Sequence, residues 1–339
     1  MPNILLTGAT GFVGRDVARR LVANGHSLSA LVRGRTGASP RQRLDALGMQ
    51  AVGDVEGEIG THIKNVARQR WDVVIHCAGD TTFFPRDPAA YRRGHVDGAV
   101  ELFRRAEAPR FVHVSTAFVC GARTGRIFEG ESDLGQAFHN PYEETKLEAE
   151  NALRAGAGST DLRFVRPSIV VGAAPKTPGG GPSEAVYSFV KLVAELAWHS
   201  KYSRAQLRIP GVKHARFNIV PVGYVAEGIV AAAEDDAPRG GTFHLVSDAP
   251  TLDEWFSTLA DRLGLPGLRV VRPRRGTLKG LTRLEMRIHA MLGRYLDYLG
   301  HDAEFDDAAA NTLLAQRGVA KPVLRGAKLV RFVDEALES

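Results

Sequence analysis

Apolar residues run unbroken from Ile4 to Leu6 and then recur at helical spacing at Val13, Val17, Leu21 and Val22, which predicts a strand, a tight turn and a helix. Asn24-Gly25 closes that helix, and residues 27–32 read as a second strand. A short helix over 41–47, a third strand over 49–52 and a polar helix over 61–70 follow. Residues 72–77 form a continuous apolar run of the kind found in parallel strands buried on both faces. A helix is expected from about 89 to 106, a strand over 111–116 and an irregular loop over 121–140. The next helix opens with Asn140 as N-cap, Pro141 at its first position and Glu143 closing a capping box, and a strand over 162–165 comes after it.

The second half is less regular. It reads as a helix near 183–199, short strands near Leu207 and Phe217, a helix from Pro221, a strand over 243–246, a helix over 252–263 and an amphipathic helix over 278–299. The Pro/Gly-rich stretch 175–182 is the expected lid or passage out of the first part. Strands alternating with helices predict an α/β chain: a Rossmann-type doubly wound parallel sheet with a smaller C-terminal substrate lobe. Its expected division is a dinucleotide-binding core over 1–170 and, interleaved with it, the substrate lobe and remaining sheet elements over 171–339.

Composition narrows the class without choosing a reaction. A chain of 339 residues can bury an ample core, and a net charge of +6 with no aromatic-studded basic block argues against a nucleic-acid partner. Cys77 and Cys120 are its two cysteines, too few for a disulfide framework and matching a reducing cytoplasm. No apolar run is long enough to span a bilayer and no His, Asp, Glu or Cys set has metal-ligand spacing, so a soluble, cytoplasmic, metal-free protein is expected. His76 and His113 fall inside strands and read as core histidines.

The chemistry begins in the first turn. Gly8 permits a sharp turn off the strand, Gly11 lets backbone approach a pyrophosphate, and Gly14 lets the helix lie close to the strand, with Thr10, Phe12 and Val13 completing the phosphate-facing segment. The second strand ends at Arg33, followed by Arg35, where an NAD-specific fold presents a carboxylate, so the cofactor expected is NADP(H). Asp54, with Val55, is placed to meet the adenine, or to brace a turn, and Ala78-Gly79 would let the cofactor pass above the sheet. Tyr142 and Lys146 lie four apart on one helix, so their side chains share a face.

The segments TGATGFVG, HVSTAFVCG and NPYEETKLEAE, in that order, resemble those of extended short-chain dehydrogenases/reductases, the likeness running from residue 3 to about 248. ALVRGR, VGDVEGEIG, VIHCAGDTTFF, VRPSIVVG, FNIVPVGYVAEGIV and TFHLVSD are similar to the branch holding fatty acyl-CoA reductases and thioester reductase domains. The resemblance implies that Tyr142 protonates a carbonyl oxygen and that Lys146 holds the nicotinamide ribose and lowers the tyrosine's pKa. It implies that Thr116, rather than its neighbour Ser115, polarises the substrate, and that Pro167, Ser168 and Ile169 pass near the nicotinamide amide.

Two positions depart from the family. His95 replaces the usual Asn, which bears on the proton relay and helix bend near the site, and Gly223 replaces the usual Asp, which is expected to loosen a lobe contact. The function implied is reduction of an aldehyde, ketone or acyl thioester on a largely apolar small molecule, either free or presented on coenzyme A or a carrier protein. The homodimer is left open. A nucleotide-sugar epimerase or dehydratase and a non-catalytic NADP-sensing regulator are the alternatives. A basic stretch at Arg272, Arg274 and Arg275 before the last amphipathic helix reads as a solvated lobe surface, or as a grip on a carrier's phosphate or a lipid headgroup.

Overall fold

The computed structural model describes the chain apart from residues 35–36, 173–185, 187–189, 192, 196–205, 236–238, 274–277, 294–295 and 339. Seven strands, β1 (Asn3–Thr7), β2 (Ser27–Val32), β3 (Gly53–Glu56), β4 (Val73–His76), β5 (Arg110–Val114), β6 (Asp161–Pro167) and β7 (Gly241–Leu245), form one parallel sheet in the order 7-6-5-4-1-2-3. The order reverses between β1 and β4, and the crevice at the C-terminal ends of these strands is where such sheets bind ligands. Alternate residues of β1 serve opposite faces: Ile4 and Leu6 pack with Val17 and Leu21 of helix α1 (Phe12–Ala23), while Leu5 packs with Val74, Leu102 and Phe111. Burial on both faces is why the central strands β1 and β4 lack a polar side, whereas the edge strand β3 is mostly exposed.

Several elements differ from the sequence reading. The third strand lies one step later than 49–52, because Met49 and Val52 are buried in turns after α2 (Pro40–Asp45) rather than in the ladder. The expected polar helix over 61–70 is a single 3₁₀ turn, Lys64–Arg68. The helix over 89–106 is real but broken into α3 (Pro88–Arg92), a π turn (Arg93–Asp97) and α4 (Gly98–Ala106). Strand β5 stops at Val114, so Thr116 is not in it; its hydroxyl caps a 3₁₀ turn, Ala117–Cys120. Within the loop over 121–140 a short strand, Gly125–Ile127, pairs with Ala303–Phe305.

Helix α5 (Pro141–Gly156) starts as expected, with the Asn140 side chain accepting from the Glu143 backbone. The capping box is not closed, however, because the Glu143 carboxylate turns to the His139 backbone N–H at 3.0 Å. Helix α6 (Val222–Glu234) is apolar nearly all round, since it is wedged between α1, the sheet and α10 (Ala308–Ala315). Gly223 faces Arg20 of α1 rather than the lobe, and Arg20 is engaged by Glu227, one turn along α6, at 2.5 Å. The missing family carboxylate is thus replaced at the i+4 position on the same face.

The lobe core gathers Leu207, Ile209, Trp255, Phe256, Leu268, Val270 and Ile288, with α7 (Leu252–Leu263) at its centre. The long helix expected over 278–299 begins later and is interrupted, giving α8 (Arg283–Leu292) and α9 (Leu296–Gly300). Ile288 of α8 points into the core, and Glu285 is held at about 2 by its hydrogen bonds with Arg208. The last helix, α11 (Ala327–Glu338), packs on α7. The stretch 175–182, most of the helix near 183–199, and Arg35, Arg274 and Arg275 lie outside the described residues. No helix among the described residues is long and apolar enough to cross a membrane.

Candidate active site

The glycine turn closes on itself. Gly8 adopts φ +77°, a conformation that favours glycine, and a Cβ there would lie 2.7 Å from the Ala78 nitrogen. A Cβ on Gly14 would sit 2.1 Å from the Gly8 carbonyl oxygen, so this glycine sets how closely α1 approaches β1. At Gly11 the same test meets only the Gly8 oxygen, at 3.1 Å, leaving an open cradle at the N-terminus of α1, whose first turn carries no acidic residue. Such a terminus favours an anion. Thr7 ties the turn to β4 by accepting from the Ala78 backbone at 3.1 Å and pairing with His76 Nδ1 at 2.8 Å.

Around the end of β2, Arg33 is exposed and paired with Glu58 at 2.8 Å. Sequence reasoning missed Arg43 on α2: it donates to the Arg33 carbonyl at 2.7 Å and to Thr10 Oγ1 at 3.4 Å, bridging the β2 end and the glycine turn. Its signal was faint, an arginine at the fourth position of a short helix with no functional motif around it. Asp54 lies on β3 at 3.6 Å from Arg41, and the Val55 side chain is buried with Leu31 and Ile63.

The catalytic candidates converge at the ends of β4, β5 and β6. Tyr142 lies close enough to Thr116 for that hydroxyl to pull its pKa down, and Thr116 Oγ1 reaches the Pro167 carbonyl at 3.5 Å. Ser115 faces the other way, toward Glu150. Lys146 Nζ, one helical turn below Tyr142, donates to the Val114 carbonyl at 2.8 Å. A Cβ on Gly79 would lie 3.6 Å from that ammonium and 3.7 Å from His95 Nε2, so the Gly79 backbone runs directly beside both groups. Ser168 is buried with its hydroxyl unpartnered, available to a polar group above the end of β6, and Ile169 starts a short parallel pair with Ile219.

His95 sits in the π turn Arg93–Asp97. Its Nε2 accepts from the Asp80 backbone at 3.0 Å and its Nδ1 bonds Thr145 Oγ1 at 3.0 Å, while burial pushes it down to about 3. The ring is therefore neutral and acts as a brace between the strand-4 loop and α5. His76 and His113 are buried core residues, as read.

Burial reverses one expectation. Tyr142 is pushed up to about 12 by desolvation, against a smaller downward pull from Thr116, whereas a lowering by Lys146 was anticipated. The tyrosine holds its proton at neutral pH, as a proton donor must. Lys146 is pushed down to about 8 by burial, opposed by Cys77 and Glu150.

The lysine therefore binds its proton less tightly folded than unfolded. Its desolvation cost is present in full below about 8 and fades as pH rises to 10.5. Lys146→Met is expected to be more stable than wild type at pH 7 by about 1 to 3 kcal/mol, the gap narrowing as pH is raised. Thermal melts at neutral and alkaline pH check this; a less stable methionine variant at neutral pH would contradict it.

The profile of the NAD dependent epimerase/dehydratase family matches residues 4–245, more than half of the chain. This chain belongs to that family. Its extended short-chain dehydrogenase/reductase character agrees with the motif resemblance, and family members depend on a nicotinamide dinucleotide, which the open cradle at Gly11 and the orphan Ser168 hydroxyl fit. This family member is 28% identical over 292 residues to peramine synthetase ppzA of Metarhizium majus (strain ARSEF 297), a match covering 76% of this chain and 10% of the synthetase. It is 26% identical to a 3-diazoavenalumate denitrifying reductase of Streptomyces, covering 79% of this chain and 84% of the reductase. Its fold superposes on the terminal R domain from the myxalamid PKS-NRPS biosynthetic pathway with a TM-score of 0.77 and 21% identity, covering all of this chain and 91% of that one. No group of three or more His, Cys, Asp or Glu among the described residues could hold a metal ion.

Proposed function

We propose that this chain is an NADP(H)-dependent reductase of an aldehyde, ketone or acyl thioester carried by a largely apolar substrate. The observation that carries the reading is the gathering of Thr116, Tyr142 and Lys146 at the C-terminal ends of β5 and β6, with Lys146 anchored on the Val114 carbonyl and Thr116 on the Pro167 carbonyl. Gly8, Thr10, Gly11, Phe12, Val13 and Gly14 would hold the dinucleotide's phosphates, Asp54 and Val55 its adenine, Ala78 and Gly79 its middle, and Lys146, Pro167, Ser168 and Ile169 its nicotinamide end. Bound there, it supplies a hydride.

The chain's own part is proton handling and placement. Thr116 and Tyr142 receive the carbonyl oxygen, and Tyr142 gives up its proton as negative charge develops on that oxygen. Lys146 stands behind as a cation that stabilises the resulting tyrosinate. With a thioester the same proton transfer precedes release of the thiol, so a coenzyme A or carrier-protein conjugate belongs to the same reading, as does a cytoplasmic location. The likeness to a denitrifying reductase and to a peramine synthetase supports it.

The family description keeps an epimerase or dehydratase as the second reading. NADPH consumption against a panel of aldehydes, ketones, acyl-CoA thioesters and nucleotide sugars separates the two. Turnover of nucleotide sugars without net NADPH consumption would replace the reductase reading, and binding without turnover across the panel would favour a sensor.

Cofactor choice is assigned to Arg33 and Arg43 together. Their guanidinium groups flank the β2 end with no carboxylate on that strand to repel a 2′-phosphate, although Glu58 must release Arg33. Each arginine is expected to contribute about 1.5 to 3 kcal/mol to NADPH binding, so Arg33→Ala and Arg43→Ala should each weaken NADPH by roughly one to two decades and NADH little. Titrations at one ionic strength check this. Equal wild-type affinities for both cofactors would remove the arginines from phosphate reading.

A further inference from the structure

Glu143, the residue after Tyr142, is fully buried on the first turn of α5. Its carboxylate accepts from the His139 backbone at 3.0 Å, from His139 Nδ1 at 3.1 Å and from the Tyr298 hydroxyl. Tyr298 comes from α9, remote in sequence, and its oxygen also accepts from Asn140 Nδ2 at 2.8 Å. One hydroxyl thus grips both the helix cap, Asn140, and the third residue of the helix, Glu143. The catalytic candidate Tyr142 lies between them.

Tyr298 is itself anchored in the lobe. Its neighbour Leu299 belongs to the lobe core and accepts from the Val212 backbone at 3.0 Å. The Tyr298 ring stacks on Phe83 at 5.5 Å and meets Phe118 edge-on at 5.1 Å, and Phe83 lies 6.0 Å from the Tyr142 ring. The groups facing Glu143 are therefore His139, Asn140 and Tyr298, with Tyr142 and Cys120 close enough to feel its charge. His139 in turn meets His301 at 5.3 Å and feels Asp297.

We infer that Tyr298 is a positioning residue for the reaction, coupling the seating of the C-terminal lobe, through Asn140 and Glu143, to the placement of the Tyr142 hydroxyl. The inference rests on the reading of Tyr142 as proton donor. A buried carboxylate holds its geometry only while its donors are in place. Removing the Tyr298 hydroxyl leaves Glu143 short of one donor and Asn140 short of its acceptor, freeing the turn that carries Tyr142. Small misplacement of a reacting group is costly to rate and cheap to binding.

The test is Tyr298→Phe in the full chain, which keeps the ring and its stacking. Expected are a kcat about tenfold lower, with KM for the carbonyl and the Kd for NADPH within about twofold, because Lys146 and the glycine turn are untouched. In a Tyr142→Phe background the same change should alter the residual rate by less than about twofold. An equal loss in both backgrounds, or wild-type kcat in Tyr298→Phe beside an inactive Tyr142→Phe, overturns the inference alone. An active Tyr142→Phe overturns the reading of Tyr142 and the inference with it. If Tyr298→Phe fails to bind NADPH or to fold, Glu143→Gln weakens the same hydrogen bond from its other end and is held to the same outcomes.

Discussion

Tyr142→Phe is expected to cut carbonyl reduction by about 10²- to 10⁴-fold while NADPH affinity stays near wild type. The substitution removes one hydroxyl and keeps a ring packed 6.0 Å from Phe83 and 6.1 Å from His95. Thr116 retains its contacts with the Pro167 carbonyl and the Phe118 backbone, so its own placement does not depend on the lost hydroxyl. The comparison is made on single-turnover NADPH oxidation, with cofactor titration as the control for folding. A variant that keeps more than half of the wild-type rate would place the proton source elsewhere.

Arg166→Ala is the second large effect, and it acts on stability. Glu150, one turn beyond Lys146 on α5, is fully buried and paired with Arg166 of β6 by two hydrogen bonds at 2.9 and 2.6 Å. That pair, with Arg154 assisting at 3.3 Å, holds the Glu150 carboxylate below the usual range despite its burial. Arg166 also donates to the Glu129 and Glu131 carbonyls, fixing the loop that leads to the candidate site. Removing the arginine strands a carboxylate in the interior, with an expected loss of about 3 to 5 kcal/mol, read from urea denaturation. Replacing both partners, Glu150→Leu with Arg166→Met, should recover part of it, because the apolar pair leaves no buried charge. A single variant within 1 kcal/mol of wild type, roughly the scale of an exposed pair, would show that water reaches Glu150.

What was legible in the sequence is what depends on neighbours in sequence. Gly8, Gly11 and Gly14 announce the turn because each answers a local backbone demand, and Tyr142 and Lys146 announce a shared face because four residues make one helical turn. The parallel sheet was legible from apolar runs such as 73–76, which need no polar side. Arg43, Tyr298 and the Glu150–Arg166 pair were not, since each gains its meaning from a partner the fold brings in from elsewhere. Met49 and Val52 misled for a related reason: their burial reflects packing on α2, and apolar pattern alone does not separate that from a strand. The anticipated lowering of the Tyr142 pKa failed because spacing reveals a nearby lysine but not how dry the site is.

The placement of β7 and α6 has a consequence for how the chain is made. The outer edge of β6 finds its partner only when residues 241–245 exist, and Val17 and Leu21 of α1 share their core with Ile229 and Val230 of α6. On the ribosome, then, the glycine turn and helix α5 emerge well before the sheet can be completed. For that interval the nascent chain carries an open strand edge and an uncovered apolar helix face, the features that recruit chaperones and invite mispairing. Synthesis rate through the second half therefore bears on the yield of a candidate cofactor site whose glycine turn lies in the first.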